Sequence, residues 1–320
     1  MISVNQGAAL IVEKMVAHAE PYGIQVIRLP GGAQLLDCGV AAPGGLQAGR
    51  YLAEVCMGGL GEVAFLPLQF SEEDGSGFWL PGVGVTVDQP AIGCMAAQYA
   101  GWAIKKDKYF AMGSGPARAL ALVEKLYEKL GYRDQAGAAV LVLEGRQLPG
   151  DEVAAYVAGK CGVPPADLSL LIAPTASLAG SVQVSARVVE TGLHKLVELG
   201  FDVCKVLSGF GTAPVAPIDK DDLHAIGRTN DCVLYGGQVY YAVRADDAEL
   251  ADLIERIPSS ASRDYGQPFY KIFKRYGDFY SIDPMLFSPA RVTINNLNTG
   301  KTFSAGHLDA SVLRASLLGA

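Results

Sequence analysis

The sequence predicts an α/β protein of two domains, in which a unit of alternating strands and helices is inserted in a glycine-rich mixed α+β domain. Three observations carry that expectation. At 320 residues the chain exceeds what one hydrophobic core normally supports. Half of its residues are hydrophobic and only 18% are charged, the balance of a folded chain with a large interior. From about residue 105 to residue 207, β-branched apolar runs alternate with helical periodicity, the pattern of strands joined by right-handed helical crossovers.

Taken in order, residues 1–20 read as an amphipathic helix, and Glu13, Lys14 and Glu20 inside it are foreign to a signal peptide. Short strands follow over 24–29, 34–38, 62–66 and 78–87, separated by glycine-rich turns. Residues 109–112 form a strand ending in Gly113-Ser114-Gly115-Pro116, and a helix is expected over 117–130, closed by Gly131. A strand at 138–143 leads to a helix at 149–160 with Pro149 at its start. A further strand at 168–173 runs into the small-residue loop Pro174-Thr175-Ala176-Ser177, which opens a helix reaching Leu196 and closed by Gly200. Residues 203–207 make a strand, 233–243 another, and 291–297 returns through Asn298-Thr299-Gly300 to 301–304 as a hairpin. On this reading residues 1–95 and 218–320 form one discontinuous α+β domain around an α/β domain over 96–217.

Charge and cysteine usage exclude several classes. The net charge is −7, and no basic run is longer than Lys105-Lys106. Nucleic acid and anionic membrane surfaces are therefore poor partners. The six cysteines (Cys38, Cys56, Cys94, Cys161, Cys204, Cys232) and four histidines (His18, His194, His224, His307) are scattered singly, so no metal site is expected. Small buried thiols suit a reducing cytosol. No apolar run approaches the roughly 20 residues that cross a bilayer, and a cytoplasmic location is expected.

Glycine accounts for 38 of 320 residues, about 12% against a usual value of about 7%. Much of it falls where strands end or are interrupted: Cys56-Met57-Gly58-Gly59-Leu60-Gly61, Gly113-Ser114-Gly115-Pro116, Ser208-Gly209-Phe210-Gly211 and Tyr235-Gly236-Gly237. Ligands of α/β sheets sit at such places, where glycine lets backbone amides approach. The nucleotide fingerprints nevertheless fail. Arg118 stands where Gly113-x-Gly115 needs a third small residue, Pro214 stands there after Gly209-x-Gly211, and Asn295 replaces the leading glycine of a Walker loop ending Thr299-Gly300-Lys301-Thr302. Nicotinamide and nucleoside-triphosphate enzymes are disfavoured, and no G-x-S-x-G elbow occurs. The stretch from Gly113 to Arg118 still suits a phosphate or carboxylate seat at a helix start; a plain strand-to-helix turn accounts for it equally.

The helix after Ser177 is unusual. At about 100° per residue, Gln183, Arg187, Glu190, His194 and Glu198 share about 80° of arc. Val184 and Val188 flank that stripe on one side, and Val182, Ala186, Val189, Leu193 and Leu196 on the other. A soluble helix normally wets one broad arc, so a narrow polar stripe between apolar flanks is what a cleft-lining helix would show. Arg187–Glu190 and Glu190–His194 also have the spacing of a surface ladder of ion pairs. The pattern leaves both open.

The chain resembles the methenyltetrahydromethanopterin cyclohydrolase family along nearly its whole length. The matching words include Asp37-Cys38-Gly39-Val40, Cys56 to Gly61, Gln89-Pro90-Ala91-Ile92, Gln98-Tyr99-Ala100-Gly101-Trp102 and the stretch from Ala111 to Ala119. They continue with Ala173-Pro174-Thr175-Ala176-Ser177, Arg187-Val188-Val189-Glu190-Thr191, Thr229-Asn230-Asp231 and Ile257-Pro258-Ser259-Ser260. Asp264-Tyr265-Gly266-Gln267-Pro268-Phe269 and Asp278-Phe279-Tyr280 complete the set. The resemblance implies a hydrolase that reversibly converts the 5,10-methenyl cation of tetrahydromethanopterin and water to the 5-formyl compound, in formaldehyde oxidation or methanogenesis, without metal or prosthetic group. It implies a two-domain α/β protein, a homotrimer, with the pterin in a cleft between domains. The catalytic R-x-x-E pair of the family falls on Arg187 and Glu190, which favours the cleft arrangement of the stripe. The modest lysine and glutamate content points to a mesophilic methylotroph rather than a hyperthermophile.

Further residues are expected to meet the substrate. Ser114 and Arg118 are placed for its anionic tail, Tyr99, Trp102, Tyr265 and Phe269 offer flat faces to the pterin, and His194 is one turn beyond the acid. Core packing explains each aromatic equally, and a structural hydrogen bond explains His194. Two other readings stand beside the cyclohydrolase: a non-catalytic paralogue binding the methenyl pterin, and a dehydrogenase acting on the same carbon carrier.

Overall fold

The structure is a computed structural model that describes residues 2–72, 75–277 and 281–319. The motif Asp278-Phe279-Tyr280 lies outside the described residues. The chain folds into two compact units, one of residues 1–62 and 91–183, the other of 63–90 and 184–320.

The first unit is built on a six-stranded sheet. Its strands are β1 (Gln25–Arg28) and β2 (Gln34–Asp37), then β5 (Trp102–Lys106), β6 (Tyr109–Ser114), β7 (Ala139–Glu144) and β8 (Leu168–Ala173), in the order β1-β2-β8-β7-β6-β5. Strands β2, β8 and β7 run parallel, so both faces need a cover. Alternation along the strands supplies it. Leu35, Leu141, Leu143, Leu170 and Ile172 pack on one face with Val153, Ala154 and Val157 of α5 (Asp151–Cys161). Leu36, Val140, Val142 and Leu171 pack on the other with Met15 of α1 (Val4–Ala17) and Leu52 and Val55 of α2 (Leu46–Cys56).

The second unit carries a sheet ordered β12-β11-β10-β9-β4-β3. Its strands are β3 (Gly61–Ser71), β4 (Gly77–Asp88), β9 (Val206–Pro214), β10 (Gln238–Val243), β11 (Arg291–Asn296) and β12 (Thr302–Gly306). The α8 helix (Asp222–Gly236), α10 (Phe269–Tyr276) and α11 (Ala310–Leu317) share a core with Phe70 and Leu80 of the first two strands. The hairpin of β11 and β12 pairs antiparallel as expected.

The mixed α/β, two-domain architecture stands, and the division of the chain between its parts differs from the expected 1–95 plus 218–320 and 96–217. Strand β2 pairs in parallel with β8, which places residues before 62 with the alternating unit. Strand β9 pairs antiparallel with both β4 and β10, which draws residues after 184 to the C-terminal sheet. Long-range ladders of this kind leave no local trace in composition. Three local expectations also change. Ser208-Gly209-Phe210-Gly211 lies inside β9 rather than beyond a strand end, and residues 233–236 finish α8 instead of starting a strand. The helix expected at 117–130 is two short turns, α3 (Arg118–Ala121) and α4 (Leu126–Leu130), because Leu122 adopts a left-handed conformation with φ of 50° between them.

Candidate active site

The helix expected to run unbroken past Ser177 is two helices, α6 (Leu178–Ser185) and α7 (Val188–Glu198). At the junction the Arg187 amide donates to the Val184 carbonyl at 3.0 Å, an i→i−3 bond, and the Ser185 hydroxyl donates to the Pro214 carbonyl at 2.8 Å. A serine engaged elsewhere and a run of β-branched valines weaken continuous helix here. Arg187 becomes the residue preceding α7, at φ −84° and ψ 2°, the bridge conformation common at active sites.

The break determines what the stripe becomes. From Arg187, Nη2 donates to Glu190 Oε2 at 2.6 Å, with the two side chains only 14% and 4% exposed. Arg187 also anchors the first turn, since its carbonyl accepts from the Thr191 amide and hydroxyl at 2.8 and 2.9 Å. One turn on, His194 and Glu198 approach to 3.7 Å on the surface, with side chains 28% and 44% exposed. The stripe is thus a buried pair at the start of α7 and a solvated pair toward its end. Gln183 belongs with the first unit, its amide 3.6 Å from Cys56 Sγ.

What presses the first turn of α7 inward is glycine. A Cβ on Gly209 would lie 2.7 Å from Val189, and one on Gly211 would lie 2.9 Å from Val188. Behind Glu190, the fully buried Tyr241 of β10 donates its hydroxyl to the Val189 carbonyl at 2.7 Å. Further along, Lys195 is fully buried and its ammonium donates to the Met285 carbonyl. Burial pushes its pKa down to about 8.

The other expected substrate residues take different places. Arg118, expected at the anionic tail of the substrate, lies in the interior. It is fully buried, paired through Nε and Nη2 with Glu124, donating through Nη1 to the Ala97 carbonyl at 2.9 Å, and set over the rings of Tyr99 and Tyr127 at 5.2 and 5.7 Å. It closes the C-terminal end of the π-helix Ala91–Gln98 rather than opening toward an anion. Ser114 joins it there, its buried hydroxyl donating to the Gln98 carbonyl. With α3 only four residues long, the glycine turn before it presents no sustained helix dipole. Trp102 and Phe269 are core residues, 4% and 0% exposed, beside Tyr156 and Phe287 respectively. Tyr265 is half-buried against Tyr235, ring centroids 5.0 Å apart, and its buried hydroxyl has no hydrogen-bond partner. Among the described residues no three His, Cys, Asp or Glu side chains cluster as a metal site, and no helix is long and apolar enough to cross a membrane.

Neither Tyr241, whose hydroxyl meets the turn before Glu190, nor Lys195 stands in a motif that marks it for the site. Lys195 had left a signal, since the same wheel puts it between Val184 and Val188, on an apolar flank where a solvated lysine does not belong. Tyr241 lies about fifty residues downstream of the helix it touches, and no periodicity could have linked the two.

Known proteins resemble this chain along nearly its whole length. The family model described as cyclohydrolase (MCH) matches residues 3–317. The chain belongs to that family. Within it, the methenyltetrahydromethanopterin cyclohydrolase of Methanocaldococcus jannaschii is 50% identical over 321 residues, covering 99% of this chain and 98% of the relative. Those of Methanococcoides burtonii and Methanothermobacter marburgensis are 47% and 46% identical, each covering 99% of this chain and 98% and 99% of the relative respectively. In this chain Arg187 and Glu190 form a buried ion pair.

Proposed function

We propose that the protein is a hydrolase that interconverts 5,10-methenyltetrahydromethanopterin plus water and 5-formyltetrahydromethanopterin, with Glu190 and Arg187 as its catalytic residues. The observation that carries the reading is the buried residue Glu190, 3% exposed, whose carboxylate is held by a guanidinium at 2.6 Å, in a chain of the cyclohydrolase family.

The methenyl carbon is an amidinium-like electrophile, so the reaction as proposed calls on neither metal nor prosthetic group. Glu190 removes one proton from water as the oxygen bonds to that carbon, giving a neutral carbinolamine. The resulting carboxylic acid then gives its proton to N10 as the C–N10 bond breaks. The carbinol hydroxyl loses its proton, the formyl group stays on N5, and the net reaction releases one proton. One carboxyl group serves in turn as base and acid. Arg187 fixes the rotamer of Glu190 and balances its charge when ionised. His194 and Tyr265 are proposed at the margin of the substrate, and Tyr99 and Ser114 as groups that shape its surroundings. A homotrimer acting in the cytoplasm, in formaldehyde oxidation or methanogenesis, is part of the same proposal.

The test is spectrophotometric. Loss of the methenyl chromophore in buffer without nicotinamide is the expected result. Binding without loss identifies a pterin-binding paralogue, and a requirement for a dinucleotide identifies a dehydrogenase; either outcome overturns the proposal.

A further inference from the structure

We propose that Tyr241 is a positioning residue for the reaction: its hydroxyl sets the rotation of the first turn of α7 and so the aim of Glu190. This inference rests on the cyclohydrolase reading of the site. The Tyr241 hydroxyl donates at 2.7 Å to the carbonyl of Val189, the residue immediately before Glu190. Tyr241 itself is fully buried and sits on β10, between β9 and β11, so its ring is carried by the interior of a sheet rather than by a loop.

The bond is not needed to satisfy Val189. Inside an α-helix the carbonyl of residue i already accepts from the amide of residue i+4, so a phenylalanine at 241 would leave no carbonyl orphaned. Nor is room for the hydroxyl a default of packing. A Cβ on Gly192 would lie 2.2 Å from the Tyr241 oxygen, so that any side chain at 192 would evict it. Gly209 and Gly211 remove the remaining side chains between this turn and the sheet. Three glycines let the helix approach, and one directional bond then chooses its angle.

That angle matters because Glu190 projects from the helix. Its carboxylate lies about 6 Å from the axis, half the width of a helix with its side chains, so a rotation of about 10° swings it by about 1 Å. A misplacement of about 1 Å can cost up to about 100-fold in rate. Arg187 moves with the same turn, which preserves the pair while spoiling its aim. A structural role alone would lower stability without touching the chemistry of Glu190; a positioning role acts through Glu190 and through nothing else.

The experiment is a double-mutant cycle on the full chain, with kcat, KM and thermal unfolding read for Tyr241→Phe, Glu190→Gln and the double variant. Tyr241→Phe is expected to lower kcat about tenfold with KM within about twofold, and to cost nothing further once Glu190 is glutamine. A kcat within twofold of the parent, or an equal loss in both backgrounds, overturns the inference. If Tyr241→Phe fails to fold, Gly192→Ala, which keeps the hydroxyl and displaces it, is read by the same cycle. An unsubstituted protein without activity on the methenyl substrate refutes the cyclohydrolase reading instead, so the two failures are told apart.

Discussion

Two Arg–Glu pairs, one in each unit, show how identical side chains are put to different work. Arg118 is 0% exposed and spreads its donors over Glu124 and backbone carbonyls of the π-helix, between two tyrosine rings. Arg187 keeps 14% of its side chain exposed and directs one nitrogen at Glu190 from the start of a helix. In the first pair the acid serves the arginine, which is locked in place as a cap. In the second the arginine serves the acid, which on the proposed reaction exchanges protons with the substrate. What separates the two guanidiniums is how their donors are shared, Arg118 between a carboxylate and the carbonyls of the π-helix, Arg187 toward the carboxylate of Glu190.

The comparison can be broken at its strongest point first. Glu190→Gln is expected to lower turnover by about 100-fold or more while the fold persists; near-parental turnover in a steady-state assay would remove Glu190 from the chemistry. Arg118→Met should act on stability. Removing it leaves the carboxylate of Glu124, 12% exposed, buried without its partner, a loss of about 3–5 kcal/mol in a urea titration. An unchanged midpoint would place Arg118 with the functional arginine.

Two buried titratable groups sharpen the structural side. Asp231 accepts from the Phe269 amide at 2.8 Å and the Ser316 hydroxyl, pinning α8 to α10 and α11, and burial pushes its pKa from the ordinary 3.8 up to about 7. Between those values the native state binds more protons than the unfolded one. Stability should therefore be greatest at the acid end of that window and fall as pH rises toward 7, by about 1.4 kcal/mol for each pH unit. Asp231→Asn should flatten that slope in a series of unfolding midpoints. Lys195 gives the smallest and opposite effect. Its ordinary value of 10.5 falls to about 8, so the unfolded state binds more protons between the two, and stability should rise with pH across that range. Lys195→Met should remove the rise and leave stability at neutral pH equal or higher, as differential scanning fluorimetry would show.

Much of the site was legible before any coordinates. The Arg187–Glu190 spacing and its apolar flanks announced a polar stripe, and the resemblance gave it an expected role. The stripe did not announce its own break, because the Ser185–Pro214 bond that competes with the helix joins residues 29 positions apart. Trp102 and Phe269 show the other limit. An aromatic next to a recognisable word has the same pattern whether it faces a ligand or a core, and the sheets beneath these two made them core. Arg118 shows a related limit: a glycine turn and an arginine have the pattern of an anion seat, and Glu124, six residues on, pairs with the charge only in the fold.

By itself the sequence determined the class of fold, the alternation of the first sheet and the spacing of the Arg187–Glu190 pair, since each is written in neighbours along the chain or in words of a few residues. Only the tertiary structure decided which strands share a sheet, where the helix divides, and which tyrosine bonds the Val189 carbonyl. Those outcomes depend on contacts between residues tens to more than a hundred positions apart, whose energies exist only once the chain has closed the intervening loops.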